Sequence, residues 1–238
     1  SEMCIRDRSK GRASHSSLPF LGQNAIKPLL EFIQNINQEY EKITQSVKGE
    51  SLDFSNMINN LGSQLPNHIT KEKAQELIQG LVMTNSIVQG GTQVNSVPDF
   101  ATAEFNVRTI PEYNNNKVKA LFNEYIEQAN QNGASLTQEL YLDLEPVVTT
   151  GQNRLVELGF DIAKSHFSNE RDLIVTPTVA VTDASNLLKG KDENFPFLMF
   201  GPGNGPHQIN ECVEKTNYLE FVEYYIEFIT SYLNEENE

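Results

Sequence analysis

Two segments of the chain place apolar residues at helical spacing. Over residues 24–40 they recur every three or four positions, and Pro28 is tolerated because it falls within the first turn. The same spacing returns over residues 118–129 and stops at Asn132 and Gly133, which are typical of a helix end. The pattern predicts two amphipathic helices.

Strict alternation of apolar and polar residues predicts β-strands. It is cleanest over residues 101–108, where every second side chain is apolar. Further strands are predicted over residues 86–89, over residues 136–144 and in the residues that run into Gly11.

The resulting order of strand, helix, strand, strand, helix and strand is that of a split βαβ unit, with two helices on an antiparallel sheet. We predict one ferredoxin-like βαββαβ domain over residues 9–146. A polar stretch, residues 42–79, reads as an insertion that extends to about residue 82, and KEKAQELIQGLV within it suggests a helical piece.

The pattern changes after residue 147. A helix is predicted over residues 155–163, short strands over residues 173–175 and 197–200, and a last helix over residues 216–233. Strands that alternate with helices are typical of an α/β sheet. Because the segment is too small for a complete doubly wound domain, residues 147–238 are predicted to be the C-terminal portion of one, and the fold class is α/β.

The first eight residues, SEMCIRDR, resemble a translated sequencing adapter of the kind fused to metagenomic gene fragments. We therefore expect residues 1–8 to be non-native and leave them out of the predicted fold. A chain that starts at such a junction is expected to have lost a preceding N-terminal region. The alternative is an ordinary short strand around residues 3–6.

Charge and composition narrow the function classes. A formal net charge of -14 argues against nonspecific nucleic-acid binding, because phosphate contacts need clustered Lys and Arg. No stretch approaches the roughly 20 apolar residues that cross a bilayer, and nothing at the start reads as a secretory signal, so the expected location is the cytoplasm. Cys4 and Cys212 are not in CxxC spacing and are expected to be free thiols.

Four histidines are present, without an HExxH, HxH or CxxC grouping that would supply several zinc ligands together. GxSxG, P-loop and helix-opening GxGxxG motifs are also absent from the sequence. Two histidines stand out. His15 lies in GRASHSS at a strand end, and His207 follows an apolar strand and a Gly/Pro loop, where open α/β sheets bind ligands.

Five motifs occur in order along the chain: GRASHSS, NSVPDF, FNVR, TDAS, and GPG followed by HQINE. In this order, from Ser9 to the C-terminus, the chain resembles the co-catalytic zinc metallopeptidase superfamily of desuccinylases, deacetylases, aminoacylases and dipeptidases. The five together are fairly specific for the superfamily and much less specific for one substrate. The resemblance implies a lid domain that forms a homodimer, followed by part of a catalytic domain.

The resemblance also implies roles for single residues. His15 would reach the partner's active site and stabilise the tetrahedral oxyanion; the alternative is a hydrogen-bonded surface histidine. Asn95 and Arg108 would contact the substrate carboxylate. The alternatives are a turn residue before Pro98 and a salt bridge from Arg108 to Glu104.

In the C-terminal portion, Thr182 and Asp183 resemble a substrate-facing loop that caps a helix, and a plain N-cap explains them nearly as well. Asn204 corresponds to a loop residue near the oxyanion. His207 matches the family's C-terminal metal ligand, with Glu211 orienting its loop. Members bind two divalent ions, zinc or also cobalt, mainly through residues of an N-terminal half that this sequence lacks, so the chain is expected to be inactive as it stands.

The expected activity of the complete protein is hydrolysis of N-succinyl-LL-2,6-diaminopimelate to succinate and LL-2,6-diaminopimelate. TDASNLL and FGPGNGPHQINECVEK look closest to desuccinylases. An acetylornithine deacetylase or a dipeptidase is the alternative within the superfamily. A noncatalytic dimerisation or small-molecule-binding module is the alternative outside it, and an in-frame HxD motif upstream of Ser9 would favour the enzyme.

Overall fold

The computed structural model describes residues 1–49, 53–62, 65–147, 149, 153–167, 173–178, 182–192, 194–203 and 209–235. The chain divides into two compact units. The first comprises Ser1–Val147 with Thr178–Lys189, and the second comprises Val148–Pro177 with Gly190–Glu238. No helix within the described ranges is long and apolar enough to cross a lipid bilayer.

The first unit is built on a four-stranded antiparallel sheet. Its strands are β1 (Glu2–Lys10), β3 (Val82–Gly90), β5 (Phe100–Arg108) and β6 (Leu136–Leu144). They lie side by side in the order β3, β5, β1, β6. Two short strands, β2 (Ser14–His15) and β4 (Ser96–Val97), pair separately as a small ribbon.

Two helices cover one face of this sheet. They are α1 (Ile26–Ser46) and α4 (Asn115–Gln131), and each connects strands of the sheet in the βαβ manner. The alternation in β5 turns its apolar side chains towards them, and three rings, Phe32 of α1, Phe105 of β5 and Phe122 of α4, meet edge to face with centroids 5.2 to 6.5 Å apart. This arrangement confirms the predicted ferredoxin-like βαββαβ fold.

The expectation that residues 1–8 add nothing to the fold is wrong. They form most of β1, which pairs with β5 on one side and with β6 on the other. Met3 and Ile5 are fully buried in the core, as are Asp7 and Ser9. The physical reason is the alternation of the segment itself, which suits a central strand whatever its origin. The adapter origin of these residues stays a prediction.

Between α1 and β3, where a simple βαβ unit needs only a loop, the chain adds helices α2 (Ser55–Leu61) and α3 (Lys71–Gln79). The second corresponds to the predicted helical piece. Thr70 caps α3, because its hydroxyl accepts a hydrogen bond from the Lys73 amide. Phe54, Ile58 and Ala74 form a small separate core under these helices.

The second unit is a pair of helices, α5 (Arg154–Phe167) and α7 (Lys215–Glu235). Phe221, Tyr224 and Phe228 of α7 pack against the apolar side of α5. Close packing requires Gly159 in α5, since a Cβ there would lie 2.7 Å from a Leu198 methyl carbon. The short helix α6 (Ala184–Leu187) precedes α7 in the chain and belongs to the first unit.

Strands were expected over residues 173–175 and 197–200, and this expectation is wrong for the structure described. Neither segment forms a strand. Both are apolar and suited to a sheet, but a strand also needs an adjacent strand that continues the hydrogen-bond ladder, which local composition does not report.

Candidate functional site

The ribbon of β2 and β4 presents His15 at the surface of the first unit. His15 pairs with Ser96 and Ser14 pairs with Val97 across the ribbon. The backbone before it passes close to Gln23 at Gly11, where a Cβ would lie 2.0 Å from the Gln23 carbonyl oxygen. The GRASHSS segment therefore holds an exposed imidazole on backbone that is paired at Arg12 and again at β2.

Ser17 sets the orientation and the tautomer of His15. The Ser17 amide donates a hydrogen bond to Nδ1 of His15 at 3.2 Å, and the Ser17 hydroxyl lies 2.7 Å from the same nitrogen. Because an amide N–H can only donate, Nδ1 acts as an acceptor and the neutral ring carries its proton on Nε2. Within the described residues Nε2 has no partner, so a donor faces outwards.

Asn95 lies beside His15 although 80 positions separate the two along the chain. The Ser16 amide donates a hydrogen bond to the Asn95 carbonyl oxygen at 2.9 Å, directly after the His15–Ser96 pair. The Asn95 side chain is exposed. The structure therefore brings together two of the residues singled out from the sequence.

An open groove of about 660 Å³ lies next to this ribbon. Its walls come from the start of α1, including Lys27 and Glu31, from the turn that follows β3, including Gly91, and from Ser96 at the start of β4. Ser96 is shared by the groove and the ribbon. The groove therefore offers both charges and apolar surface to a ligand near His15.

Arg108 lies at the other end of β5 from this ribbon. Eight residues separate it from Phe100, which corresponds to roughly 26 Å along a strand. Its Nη2 lies 3.3 Å from Oε1 of Glu2. Glu104 instead accepts hydrogen bonds from Arg6 at 2.9 Å and from the Tyr141 hydroxyl at 3.0 Å. One copy of the chain therefore does not bring Arg108 together with His15 and Asn95.

The network on this open face of the sheet shifts two pKa values. The hydrogen bond from Arg6 holds the pKa of the Glu104 carboxyl below its usual range. Burial, together with the hydrogen bond to Glu104, raises the pKa of Tyr141 to about 12. Glu104 therefore stays ionised and Tyr141 stays neutral over the physiological pH range. Their hydrogen-bond network has a structural role and does not exchange protons.

Thr182 lies directly before Asp183, the N-cap residue of the short helix α6. Its hydroxyl oxygen accepts a hydrogen bond from the Ala184 amide at 3.1 Å, whereas Asp183 makes no side-chain cap bond. The Thr182 hydroxyl thus satisfies the first amide of the helix, and a substrate contact for Thr182 stays a prediction. Asn204 and His207 lie outside the described residues, so their predicted roles have no structural counterpart here.

A two-metal site does not fit the side chains that the structure describes. Among these residues no group of three or more His, Cys, Asp or Glu side chains could hold a metal ion. Glu211, which was expected to orient the His207 loop, is exposed.

Sequence reasoning missed the part played by Ser17. The HSS triplet carried the signal, because the amide and the hydroxyl of a Ser two positions after a His can both form hydrogen bonds to the imidazole ring. The contact between the His15 and Asn95 segments had no local signal.

Comparison with known proteins agrees with this architecture. Residues 5–134 match a family model described as a peptidase dimerisation domain. A Staphylococcus epidermidis protein named probable succinyl-diaminopimelate desuccinylase is 37% identical over 227 residues, which cover 94% of this chain and 54% of that protein. A protein of the same name from Staphylococcus aureus strain MRSA252 is 35% identical over 235 residues, covering 98% and 56%. The chain thus spans about half the length of the curated relatives it matches.

Solved structures show the same fold at low sequence identity. An M20 family metallo-carboxypeptidase from Sulfolobus solfataricus superposes with a TM-score of 0.65 at 16% identity, covering 95% of this chain and 57% of that chain. A di-peptidase from Saccharomyces cerevisiae gives a TM-score of 0.63 at 15% identity, covering 95% and 53%.

Proposed function

Because this chain belongs to the M20 peptidase family through its dimerisation domain, we propose that the complete protein is a metal-dependent amidohydrolase. We further propose that it hydrolyses N-succinyl-LL-2,6-diaminopimelate to succinate and LL-2,6-diaminopimelate. The observation that carries the substrate is the identity above one third, over nearly the whole chain, with relatives named probable succinyl-diaminopimelate desuccinylase.

In this proposal His15 stabilises the oxyanion that forms when the amide carbonyl is attacked. Its exposed Nε2–H supports the role, because the contacts from Ser17 hold the ring and leave this donor facing outwards. A fixed donor aimed at developing negative charge typically lowers the barrier by about 2.7–4 kcal/mol.

The separation along β5 supports a site shared between two copies. Arg108 lies roughly 26 Å along the strand from the ribbon that carries His15 and Asn95, too far for one small substrate. We infer that in the homodimer each active site takes Arg108 from one copy and takes His15 and Asn95 from the other. Arg108 would bind a substrate carboxylate, for which its planar guanidinium is suited.

Two divalent ions, zinc or cobalt, would polarise the amide carbonyl in the complete protein. The described residues do not hold them, and His207 is proposed as one ligand. The chemistry proposed for the described residues is therefore substrate binding by Asn95 and Arg108, with Thr182 as a further contact, and oxyanion stabilisation by His15. Asn204 is proposed to lie near the same oxyanion.

The substrate is tested with a protein restored to the length of its relatives. We expect succinate release from N-succinyl-LL-2,6-diaminopimelate to exceed hydrolysis of N-acetylornithine and of dipeptides. A dominant activity on either of the latter would end the desuccinylase proposal, and no hydrolysis of any of them would favour a noncatalytic module.

The role of His15 is tested in the same restored protein. We expect His15→Ala to lower kcat by roughly 100- to 1000-fold with little change in fold. His68→Ala, which removes an exposed histidine distant in sequence, is the matched control and is expected to leave kcat unchanged. Equal kcat values for the two variants would contradict the oxyanion role.

The shared site is tested by mixing inactive variants. His15→Ala and Arg108→Ala homodimers are each expected to be nearly inactive, whereas dissociation and reassociation of the mixture should restore one intact site in each mixed dimer. Activity that does not rise on mixing, although mixed dimers are present, would place all three residues at one site of one copy.

A further inference from the structure

Arg12 differs from the other arginines that the structure describes, because its side chain has no partner among the described residues. It is exposed and makes no side-chain hydrogen bond or ion pair within these ranges. The other described arginines each contact another side chain: Arg6 contacts Glu104, Arg8 contacts Glu139, Arg108 contacts Glu2, and Arg154 lies over the ring of Tyr232. The N–H donors of the Arg12 guanidinium therefore remain available for an anion.

The backbone holds Arg12 in a fixed place. Its amide donates a hydrogen bond to the Gln23 carbonyl oxygen, and its own carbonyl oxygen accepts one from the Gln23 amide, both at 2.8 Å. Gln23 is held in turn, since its Nε2 donates to the Gly133 carbonyl oxygen at 2.8 Å. The fold thus anchors the base of a side chain whose charged end makes no contact in the described structure. This combination suits ligand binding better than stabilisation of the fold.

Arg12 lies close to His15 on the same short segment. Three positions separate them, so their Cα atoms are at most about 11 Å apart. Both ends of this span are fixed, because Arg12 pairs with Gln23 and His15 pairs with Ser96. The long Arg12 side chain is therefore able to reach a ligand that contacts the His15 ring.

Two lysines add positive charge in the segments next to Arg12. Lys10 ends β1, and Lys27 lies in the first turn of α1, where it lines the groove beside the ribbon. Both are exposed and have no ion pair within the described ranges. Glu31 and Asp99 are the exposed acidic residues of the same region, and neither pairs with Arg12 in the described structure.

The overall charge of the chain gives these cations a purpose. A formal net charge of -14 repels an anionic ligand at long range. Cations that are already neutralised by carboxylates do little to offset this repulsion. A few unpaired cations near His15 are the means by which this surface attracts a carboxylate.

We propose that Arg12 binds the free carboxylate of a dicarboxylic acyl group, such as succinyl, and so determines which acyl group is accepted. In a succinyl amide a short methylene chain separates this carboxylate from the carbonyl that His15 is proposed to contact. Arg108, proposed to come from the other copy, then binds a carboxylate of the amino-acid part. The inference rests on the proposed function, because it names the acyl group that the same site takes.

The proposal is tested with two substrates that differ in one carboxylate. A protein restored to the length of its relatives is assayed on the N-succinyl and the N-butyryl derivatives of LL-2,6-diaminopimelate, since butyryl has the chain length of succinyl without its carboxylate. Arg12→Gln removes the charge, whereas Arg12→Lys keeps the charge and loses the planar pair of donors. Lys42→Gln, which removes an exposed cation later in α1, is the matched control.

Arg12→Gln should lower kcat/KM for the succinyl substrate by about 10- to 100-fold and change that for the butyryl substrate by less than about twofold. Arg12→Lys should fall between Arg12→Gln and the unsubstituted protein, and Lys42→Gln should alter neither value. Equal losses on both substrates would overturn the proposal, because Arg12 would then support the fold. No loss on the succinyl substrate would also overturn it, because Arg12 would then be a solvated surface cation.

A second measurement needs no hydrolysis. Binding of the N-succinyl and N-butyryl compounds to the restored protein is measured by isothermal titration calorimetry, with the metal ions removed by a chelator. Arg12→Gln should raise Kd for the succinyl compound by roughly tenfold or more and leave the butyryl Kd unchanged. Equal Kd values for the succinyl compound in the two proteins would contradict the inference.

The two measurements separate this inference from the proposed function. A restored protein that binds the succinyl compound through Arg12 and hydrolyses neither compound would refute the proposed function alone. Hydrolysis of the succinyl substrate at the same kcat/KM with and without Arg12 would refute the role of Arg12 alone.

Discussion

Helices α1 and α7 are both 21 residues long, yet they differ in how many of their large apolar side chains are exposed. In α1 the buried residues lie on the sheet of the first unit, and Leu30 is its one exposed large apolar residue. In α7 six large apolar residues are exposed: Tyr218, Leu219, Val222, Ile226, Ile229 and Leu233. Two helices of the same length therefore expose very different amounts of apolar surface.

The difference shows which unit buries more of the apolar surface of its helices. A helix that meets its sheet within the same unit needs a single apolar face, as α1 does. The helix α7 buries Phe221, Tyr224 and Phe228 and leaves a second set of apolar side chains exposed. The first unit is therefore expected to carry the stability of this chain, and the second unit its tendency to aggregate.

The largest effect is expected in the aromatic core of the first unit. Phe122 contacts Phe32 and Phe105 with ring centroids 5.8 and 5.2 Å apart. Phe122→Ala should lower the free energy of unfolding by about 3–5 kcal/mol, whereas Ile229→Ala on the exposed side of α7 should change it by less than about 0.5 kcal/mol. Urea denaturation followed by circular dichroism measures both, and equal losses would erase the contrast between the two helices.

A second effect comes from Asp7, buried in β1. Burial raises the pKa of this carboxyl to about 7, although Gln138 donates a hydrogen bond to it. In the unfolded chain the same carboxyl has a pKa near 3.9, so it loses its proton at a lower pH than in the folded chain. Its contribution to the free energy of unfolding is therefore fully present below about pH 4 and is lost as the pH rises through about 7, on the order of 4 kcal/mol in total.

Asp7→Asn removes this dependence because the amide does not ionise. Relative to the unsubstituted chain, the variant should gain about 2–3 kcal/mol of unfolding free energy between pH 5 and pH 8. Asp161→Asn, which changes an exposed carboxylate of α5, is the control and should show no such gain. Parallel pH profiles for Asp7→Asn and the unsubstituted chain would show that Asp7 is not buried as described.

A smaller effect is expected at the start of α4. The Asn114 side chain accepts a hydrogen bond from the Lys117 amide at 3.2 Å and so caps the helix. Asn114→Ala should cost about 1 kcal/mol, while Asn123→Ala, on the exposed side of α4, should cost much less. Thermal unfolding of the two variants tests this, and a larger loss for Asn123→Ala would argue against the cap.

The smallest effect is expected between the helices of the second unit. Nε2 of His166 in α5 lies 2.8 Å from Oε2 of Glu227 in α7, and the Glu227 side chain is 52% exposed. Because solvent screens such a pair, Glu227→Gln should cost at most about 1 kcal/mol, and Glu223→Gln should be neutral. A loss of several kcal/mol in urea denaturation would mean that the pair, and not the aromatic core, joins the two helices.

Local patterns predicted most of the first unit. The alternation in β5 and the helical spacing in α1 and α4 depend on side chains that lie next to one another in sequence, and the structure has all three elements. Residues 173–175 and 197–200 show the limit of such patterns. They are apolar enough for strands, but strand formation depends on a neighbour that no local pattern reports.

The sequence motifs predicted which residues belong to the candidate site, but not how these residues are arranged in space. The motifs identified His15, Asn95 and Arg108, but only the pairing of β2 with β4 brings the first two together, and only the length of β5 separates the third. The alternative interpretation of Arg108 was a salt bridge to Glu104, whereas the structure pairs Arg108 with Glu2. Glu2 lies in the segment that was left out of the predicted fold. Contacts between distant segments decide all three outcomes.

We propose, as the central claim, that this chain carries the dimerisation domain of a metal-dependent hydrolase and part of its catalytic domain, and that most metal ligands lie in the length of the relatives that the chain does not span. The most direct test is the rate at which the purified 238-residue chain, supplied with zinc, releases succinate from N-succinyl-LL-2,6-diaminopimelate. We expect a rate equal to that of the buffer. Hydrolysis that depends on zinc and disappears with a chelator would contradict the account.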